Sequence, residues 1–178
     1  VGNVQKTNQK GEVTVEGDAM YKSSVNKFDT FTDFRKIEAS VADGDEIIKL
    51  EEFADRILQF KKKKMHLINV SQEIEFLEET FLHKGVSIPA AVCKTDYGVA
   101  WVNRQGCYLY DGEKVTNLLE RKGLRLISST EWGTTFTTAN SIIGYVPNKR
   151  QIIVLKDCSA SSVGDIYLYD IITQSWVF

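Results

Sequence analysis

Residues that could bind a metal or act as nucleophiles are few and widely spaced in this sequence. Cys93, Cys107 and Cys158 are the three cysteines, and His66 and His83 are the two histidines. No CxxC or HxxxH spacing, which is typical of zinc ligands, occurs among them. An odd number of distant cysteines does not indicate a disulfide framework either. We therefore expect ordinary thiols, no metal site and no cofactor.

Carboxylates are the next candidates for chemistry. Glycoside hydrolysis needs two carboxyl groups that face one substrate. Glu51–Glu52 and Glu78–Glu79 are neighbours in sequence, but neighbours on a strand point to opposite sides of the sheet. The segment Ser128–Trp132 lacks the Asp and Gly spacing of the Asp-box of sialidases. No glycine-rich phosphate loop or Ser-His-Asp ordering is present, so we predict no catalytic residues and no enzymatic activity.

The run Lys61–Lys64 is the most conspicuous cluster of charge. Four adjacent lysines could bind phosphate groups in a salt-dependent way. They could equally form the solvated tip of a hairpin, where lysine also protects exposed strands from aggregation. The other predicted hairpin tips are not basic, which favours the solvated tip.

Aromatic residues offer a second binding candidate. Alternating tyrosines can bind sugars or stack bases, although such residues more often pack between sheets with their hydroxyls solvated. We favour packing for the four tyrosines of this kind, and for the three tryptophans, of which Trp132 is expected to be the most exposed, in a loop from Ser128 to Thr135. The four tyrosines are Tyr108, Tyr110, Tyr167 and Tyr169.

Length and composition fit one soluble domain. The chain has 178 residues, 43% of them hydrophobic and 26% charged, with a net charge of −2. This charge favours neither nucleic acid nor an anionic membrane as partner, and no apolar run approaches the ~20 residues that span a bilayer. Because the chain begins with Val1 rather than Met, we expect a fragment or a processed product.

The elements that must position these residues form a repeat. Residues 1–17 are predicted to be an N-terminal arm with a first strand, and residues 18–178 to carry the repeat. Its three modules cover about 46–82, 90–119 and 141–178, and each has the pattern strand, turn, strand, turn, strand, with a possible fourth strand. In the last module a loop from Asp157 to Gly164 lengthens the second turn.

Four-stranded units that recur at about 40–50 residues are the sequence pattern of a β-propeller. We therefore predict an all-β fold of four-stranded antiparallel blades. Single blades bury their apolar faces only by stacking, and about four blades is a small number, so the chain is expected to be part of a larger ring. A helix over Leu50–Leu58 is the rival interpretation, but the equivalent positions of the other modules are not helical.

Two expectations concern burial. Each second strand should bury at least one residue of a pair, the pairs being Ile57 and Leu58, Val99 and Trp101, and Ile153 and Leu155. Before the modules, Phe28, Phe31 and Phe34 recur every third residue, a spacing that fits neither a strand nor a long helix. We expect them to fix a polar loop, Asn26–Asp33, onto the body of the protein.

Several segments resemble the propellers of tailed-phage virion proteins, in the same order along the chain, over about Tyr21–Phe178. The segments are Tyr21–Ser24 with Asp29–Phe31, Gly44–Leu50 with Phe53–Phe60, and Thr95–Trp101 with Gly106–Gly112. The Trp-Asp dipeptide and the kelch double glycine of other propellers are missing.

This resemblance implies a structural component of a phage tail or head-to-tail region, such as the tail nozzle, that serves as a rigid assembly platform. It implies other virion subunits as partners in a homo-oligomeric ring, with a host-surface glycan as a further candidate, and no sequence-specific nucleic acid. It transfers no functional residues. A carbohydrate-binding or glycan-hydrolysing propeller, or a general interaction scaffold, is the alternative.

Overall fold

The computed structural model of the protein describes residues 1–40, 43–159 and 166–177. The chain is all-β: several small antiparallel sheets account for most of its regular structure, and the described residues add one five-residue α-helix and two three-residue 3₁₀-helices. No helix in these ranges is long and apolar enough to cross a membrane. The chain divides into two compact units, Val1–Leu82 and His83–Phe178.

The first unit contains two antiparallel sheets. A three-stranded sheet is formed by β1 (Gly2–Thr7), β2 (Val13–Ser24) and β3 (Lys27–Ile37). A four-stranded sheet, here sheet I, is formed by β4 (Ile47–Phe53), β5 (Arg56–Lys61), β6 (Lys64–Asn69) and β7 (Phe76–Leu82). The core of this unit is centred on Met20, Ile47 and Ile68.

The second unit contains two further four-stranded sheets. Sheet II is formed by β8 (Val92–Thr95), β9 (Gly98–Asn103), β10 (Gly106–Tyr110) and β11 (Val115–Asn117). A short hairpin of β12 (Glu120–Arg121) and β13 (Leu124–Arg125) and the helix α1 (Ser129–Gly133) follow. Sheet III is formed by β14 (Ile142–Val146), β15 (Gln151–Leu155), β16 (Ile166–Asp170) and β17 (Ser175–Val177).

Sheets I, II and III share one topology, in which consecutive strands pair antiparallel in the order of the sequence. They coincide with the three predicted modules, and each of the predicted fourth strands is present as β7, β11 and β17. The helical alternative over Leu50–Leu58 is wrong, since β4 and β5 pair as a hairpin there. Residues 160–164 of the predicted Asp157–Gly164 loop lie outside the described residues.

The turn between β8 and β9 depends on glycine. Gly98 has φ of 142°, and a Cβ built on it would lie 1.9 Å from the carbonyl oxygen of Tyr110 on β10. A side chain at position 98 would therefore clash with backbone rather than with a movable group.

The predicted loop with the three phenylalanines is wrong. Residues 27–37 form the edge strand β3, and β2 (Val13–Ser24) runs without a break past residue 17, where the N-terminal arm was predicted to end. Phe28 and Phe34 are 88% and 81% exposed, so they do not fix this segment onto the core. Bulges in the β2–β3 pairing let aromatic residues at a spacing of three sit on a strand.

Burial of the second strands agrees with expectation in two sheets. Leu58 of β5 and both Val99 and Trp101 of β9 are fully buried. In β15 the prediction is wrong, because Ile152 and Val154 are buried whereas Ile153 and Leu155 are only half-buried. The two pairs of β15 residues lie on opposite faces of sheet III, so the sequence QIIVL does not reveal which face is covered.

The faces of sheet III are unequal. One, the Tyr167 face, carries Ile152, Val154, Tyr167, Tyr169 and Trp176 and is turned toward sheet II. The Trp176 indole donates to the Leu118 carbonyl at 2.8 Å, and burial, followed by the nearby Cys107 thiol of β10, raises the pKa of Tyr169 to about 12. Strand β14 also contacts β8 and β9.

The other face of sheet III, the Leu168 face, is apolar and open. It carries six apolar side chains, each of them half-buried or exposed. These are Ile142, Ile153, Leu155, Ile166, Leu168 and Val177.

Candidate functional site

The lysine run is part of a cluster of polar side chains joined by hydrogen bonds and ion pairs. Only the middle of the run is a solvated tip: Lys62 and Lys63 form the β5–β6 turn and are exposed. Lys61, at the end of β5, is 0% exposed, and Lys64 is mostly covered. The expectation of four solvated lysines is therefore wrong for the two outer ones.

The buried ammonium of Lys61 is bound by the segment that precedes β4. Its Nζ donates to Ser40 Oγ at 2.9 Å and to both carboxylate oxygens of Asp43 at 3.0 and 3.1 Å. Lys64 forms a second ion pair with Asp43. Burial alone would raise the pKa of Asp43, but the bonds from Lys64, Ser40 and Lys61 outweigh it and hold this pKa well below its usual range. The carboxylate is thus ionised at neutral pH and is bound by the side chains of Ser40, Lys61 and Lys64.

Asp45 also binds the β5–β6 turn. Its two carboxylate oxygens accept from the backbone N–H groups of Lys62 and Lys63, each at 3.0 Å. The backbone N–H of Asp45 in turn donates to Asp43 at 3.0 Å. The segment before β4 is therefore held to the β5–β6 turn through side chain and backbone together.

Ser40 and His66 make the one contact here that could suggest nucleophilic catalysis. Ser40 Oγ lies 3.2 Å from His66 Nε2, and His66 Nδ1 lies 2.8 Å from Thr80 Oγ1. Ser40 already donates its single proton to Asp43, so its oxygen accepts from the histidine, which carries its proton on Nε2. A histidine in this tautomer cannot take the proton of Ser40 as a general base must.

The electrostatics of His66 point the same way. The pKa of His66 is lowered to about 4, mainly by burial and further by the positive charges of Lys61 and Lys64. The imidazole is neutral at pH 7 and is a weak base. The cluster is therefore equipped to hold a segment in place rather than to activate a serine.

Sheets II and III each have a buried polar residue at the position equivalent to Lys61, and it likewise binds the segment before the first strand. The register of the hairpins aligns Lys61 with Asn103 and Lys156, each of which is buried. Each stands four positions beyond a residue of the second strand that is paired with the third; these pairs are Ile57–Ile68, Val99–Tyr110 and Ile152–Tyr169.

In sheet II, Asn103 Nδ2 donates to the carbonyls of His83 and Gly85, at 3.0 and 2.9 Å, in the segment that precedes β8. Its Oδ1 accepts from the N–H groups of Gln105 and Gly106 in the hairpin turn, at 2.9 and 3.1 Å. All four hydrogen-bonding positions of the amide are used. Asn103 thus joins the hairpin to the incoming segment.

In sheet III, Lys156 joins the hairpin to the incoming segment. Its Nζ donates to the carbonyls of Glu131 and Thr134, at 3.1 and 3.0 Å, in the segment that precedes β14. The ammonium also lies 4.6 Å from the ring centroid of Tyr167, a favourable cation–π distance. A buried polar side chain therefore ties the segment before the first strand to the end of the second strand in all three sheets; we call these three residues the tethers.

A second hydrogen-bonding pattern is repeated at the ends of the third strands β6, β10 and β16. Asn69, Asp111 and Asp170 each accept, through Oδ1, from a backbone N–H two residues further on. Asp111 and Asp170 accept from the third residue as well. These Asx turns start the connection to the fourth strand.

The tyrosines and Trp132 are part of the core. All four tyrosines of the alternating pattern are buried, which confirms packing as their role. Trp132, expected to be exposed, is 0% exposed. It lies on α1, whose N-cap Ser128 accepts from the backbone of Glu131, and its indole donates to the Asn103 carbonyl at 2.9 Å. Edge-to-face contacts join it to Tyr167 and to Trp176.

Other candidates for chemistry are dispersed in the structure. Among the residues that the structure describes, no group of three or more His, Cys, Asp or Glu side chains could hold a metal ion. None of the three cysteines forms a disulfide, and Cys107 is buried whereas Cys158 is exposed. Glu78 is occupied by ion pairing with Arg56.

A weak signal for the tethers is present in the sequence. Lys61, Asn103 and Lys156 each end an apolar second strand, at the same offset in its module. The pattern shows one polar residue at a fixed position, but three different partners satisfy it, so no common motif surrounds it. A scan against protein-family models gives no match to this chain, and a search of the curated proteins gives none.

Proposed function

We propose that this protein is a structural component of a tailed-phage particle, in the tail or head-to-tail region, and that it serves as a rigid assembly platform without enzymatic activity. The observation that carries the proposal is the repeat of three sheets with one topology and one tether position. A structural protein needs repeated scaffold features and does not need repeated reactive groups.

The finer architecture that we propose is a β-propeller-like stack. Two features of the second unit support it: the first strands β8 and β14 are neighbours, and successive sheets face each other through their apolar sides. Inner strands that adjoin and sheets that stack are the arrangement of adjacent propeller blades.

Rigidity is supported by the tethers. Loops that connect repeated units are usually the mobile parts of a fold, but here each segment before a first strand is bound by buried ammonium or amide groups. Hydrogen bonds to charged groups contribute ~1.5–3 kcal/mol each. These bonds hold the connecting segments to the hairpins, which suits a rigid platform.

The phage assignment is supported by the likeness of the segments Tyr21–Ser24, Gly44–Leu50 and Gly106–Gly112 to virion propellers. Large exposed apolar residues on β3 and on sheet III suit a protein that works in contact with other subunits.

The test is to ask whether the chain is part of finished particles. Phage released from cells that encode the protein would be purified by density gradient, and the chain quantified by mass spectrometry against the major capsid protein. We expect a constant copy number per particle in all gradient fractions that contain intact tails. A chain that is abundant in the lysate but absent from intact, tailed particles would contradict the proposal.

A further inference from the structure

An open sheet face and an exposed hairpin together point to a specific contact between copies of this chain. The Leu168 face of sheet III is apolar, and Ile166 and Val177 on it are 53% and 61% exposed. In the first unit, the β2–β3 hairpin bears three large apolar side chains that are more than three-quarters exposed; these are Val25, Phe28 and Phe34.

The structure indicates what such a face binds, because sheet II has the equivalent face in a covered state. The hairpin register aligns Ile153, Leu155 and Ile166 of sheet III with Ala100, Val102 and Cys107 of sheet II. These three sheet II residues are fully buried. Cys107 lies near Tyr169 of the Tyr167 face, and β14 of sheet III contacts β8 and β9. We infer that the Tyr167 face, an antiparallel sheet surface with aromatic side chains, provides the cover. The Leu168 face is thus the next position in the same stack, without the next sheet.

The chain itself carries an exposed antiparallel surface with aromatic side chains. Strand β3 is the edge of its sheet, and its residues from Lys27 to Phe31 are all exposed. Isolated exposed apolar residues are common on proteins, but several large ones on one hairpin mark a contact surface.

We propose that the Leu168 face of one copy binds the β2–β3 hairpin of a second copy, head to tail. The contact continues the stacking of sheet II on sheet III from one molecule to the next. Because the two surfaces differ, the contact is heterologous, and repeated copies close into a ring or extend as a filament. This inference rests on the proposed function, to which it adds the partner and the surfaces.

The two surfaces allow a complementation experiment. The first variant changes the Leu168 face and carries Ile166→Lys and Val177→Lys. The second variant changes the β2–β3 hairpin and carries Phe28→Lys and Phe34→Lys. All four positions are exposed, so folding should persist, as checked by tryptophan fluorescence and circular dichroism. The matched control is Leu124→Lys, which changes a 73% exposed leucine on β13.

Molar mass would be measured by light scattering after size exclusion and by sedimentation over a wide range of concentration. We expect the unchanged chain and the control to associate beyond a dimer, and each variant alone to have the mass of one chain. A mixture of the two variants should form a dimer and stop there, because only one intact pair of surfaces remains.

Three outcomes would overturn the proposal: an unchanged chain that stays monomeric, variants that associate like the unchanged chain, or loss of association in only one of the two variants. A monomer would mean that a second copy of the chain does not bind the Leu168 face. Such a result would leave the particle measurement of the proposed function unaffected, so the two failures are distinguishable.

Discussion

Asn103 is the tether whose removal should have the largest measurable effect. The change Asn103→Ala deletes four hydrogen bonds at once: two that the side chain donates to the segment before β8 and two that it accepts from the β9–β10 turn. The methyl group left behind can replace none of them. The backbone groups that were bonded stay where the sheet holds them.

The magnitude follows from which of the four bonds are shielded from water. The bonds to the Gly85 carbonyl and from the Gly106 N–H are buried, and the other two are partly buried. A buried polar group without a partner costs ~1–3 kcal/mol, so two of them cost about 2–6 kcal/mol. We expect a loss of about 3 kcal/mol in the free energy of unfolding, since water can reach the two partly buried groups.

The assay can be made specific for the second unit. All three tryptophans lie in it, at positions 101, 132 and 176, so tryptophan fluorescence during urea unfolding reports on His83–Phe178. The matched control is Asn148→Ala, which changes an exposed asparagine and should shift the free energy of unfolding by less than ~0.5 kcal/mol.

A third variant tests the role of position 103 as a tether. Asn103→Lys supplies an ammonium at the position where Lys61 and Lys156 stand in the other sheets. It should recover part of the stability that Asn103→Ala loses, because the ammonium can donate to the same two carbonyls. A loss below about 1 kcal/mol for Asn103→Ala, or a lysine variant that is less stable than the alanine variant, would refute the tether argument.

Three further predictions concern other features. The pKa of His66 is lowered from 6.5 to about 4, so the unfolded chain binds more protons between these pH values and stability falls as pH drops through them, by at most about 3 kcal/mol; urea titrations of His66→Gln should show a flatter fall, and an unchanged slope would contradict the assignment. Gly98→Ala should abolish cooperative folding of the second unit, because its Cβ meets the Tyr110 carbonyl; a melting temperature equal to that of the unchanged chain would disprove the clash. Trp132→Phe keeps ring packing but loses the bond to the Asn103 carbonyl, so it should cost about 1–3 kcal/mol in calorimetry, and a neutral result would show that the bond is dispensable.

The strands of the three modules could be predicted because short-range features fix them. Turn residues such as Asp111-Gly112, and apolar runs of four to six residues between them, specify a hairpin locally. Repetition added information, since it overruled the helical spacing of Leu50–Leu58, which by itself would have favoured the wrong structure. The prediction of tyrosine packing also needed only general physical preferences.

The errors arose where distant residues decide the outcome. The sequence around Trp132 predicts a loop. The hydrogen bond that its indole makes in the core is to the carbonyl of Asn103, which is 29 positions away. The choice between Ile152 and Ile153 as the buried residue of β15 depends on which side sheet II covers, and both sides are apolar. Phe28 is exposed because neither face of the first half of β3 is covered, since consecutive residues from Lys27 to Phe31 are all exposed. No local pattern encodes which strand faces are covered.

The tethers show why a repeated structural role can leave so little trace in sequence. The position requires hydrogen-bond donors that reach the segment before the first strand, and both an ammonium with three donors and an amide with two satisfy it. The acceptors are mostly backbone carbonyls, as for Asn103 and Lys156, and any residue supplies those. Only for Lys61, the tether of sheet I, are the acceptors side chains, those of Ser40 and Asp43. The result is a cluster that resembles a catalytic site. The comparison among the three sheets therefore gives the better interpretation of Lys61: its partners differ from those of the other tethers, but its position and its function as a connector are the same.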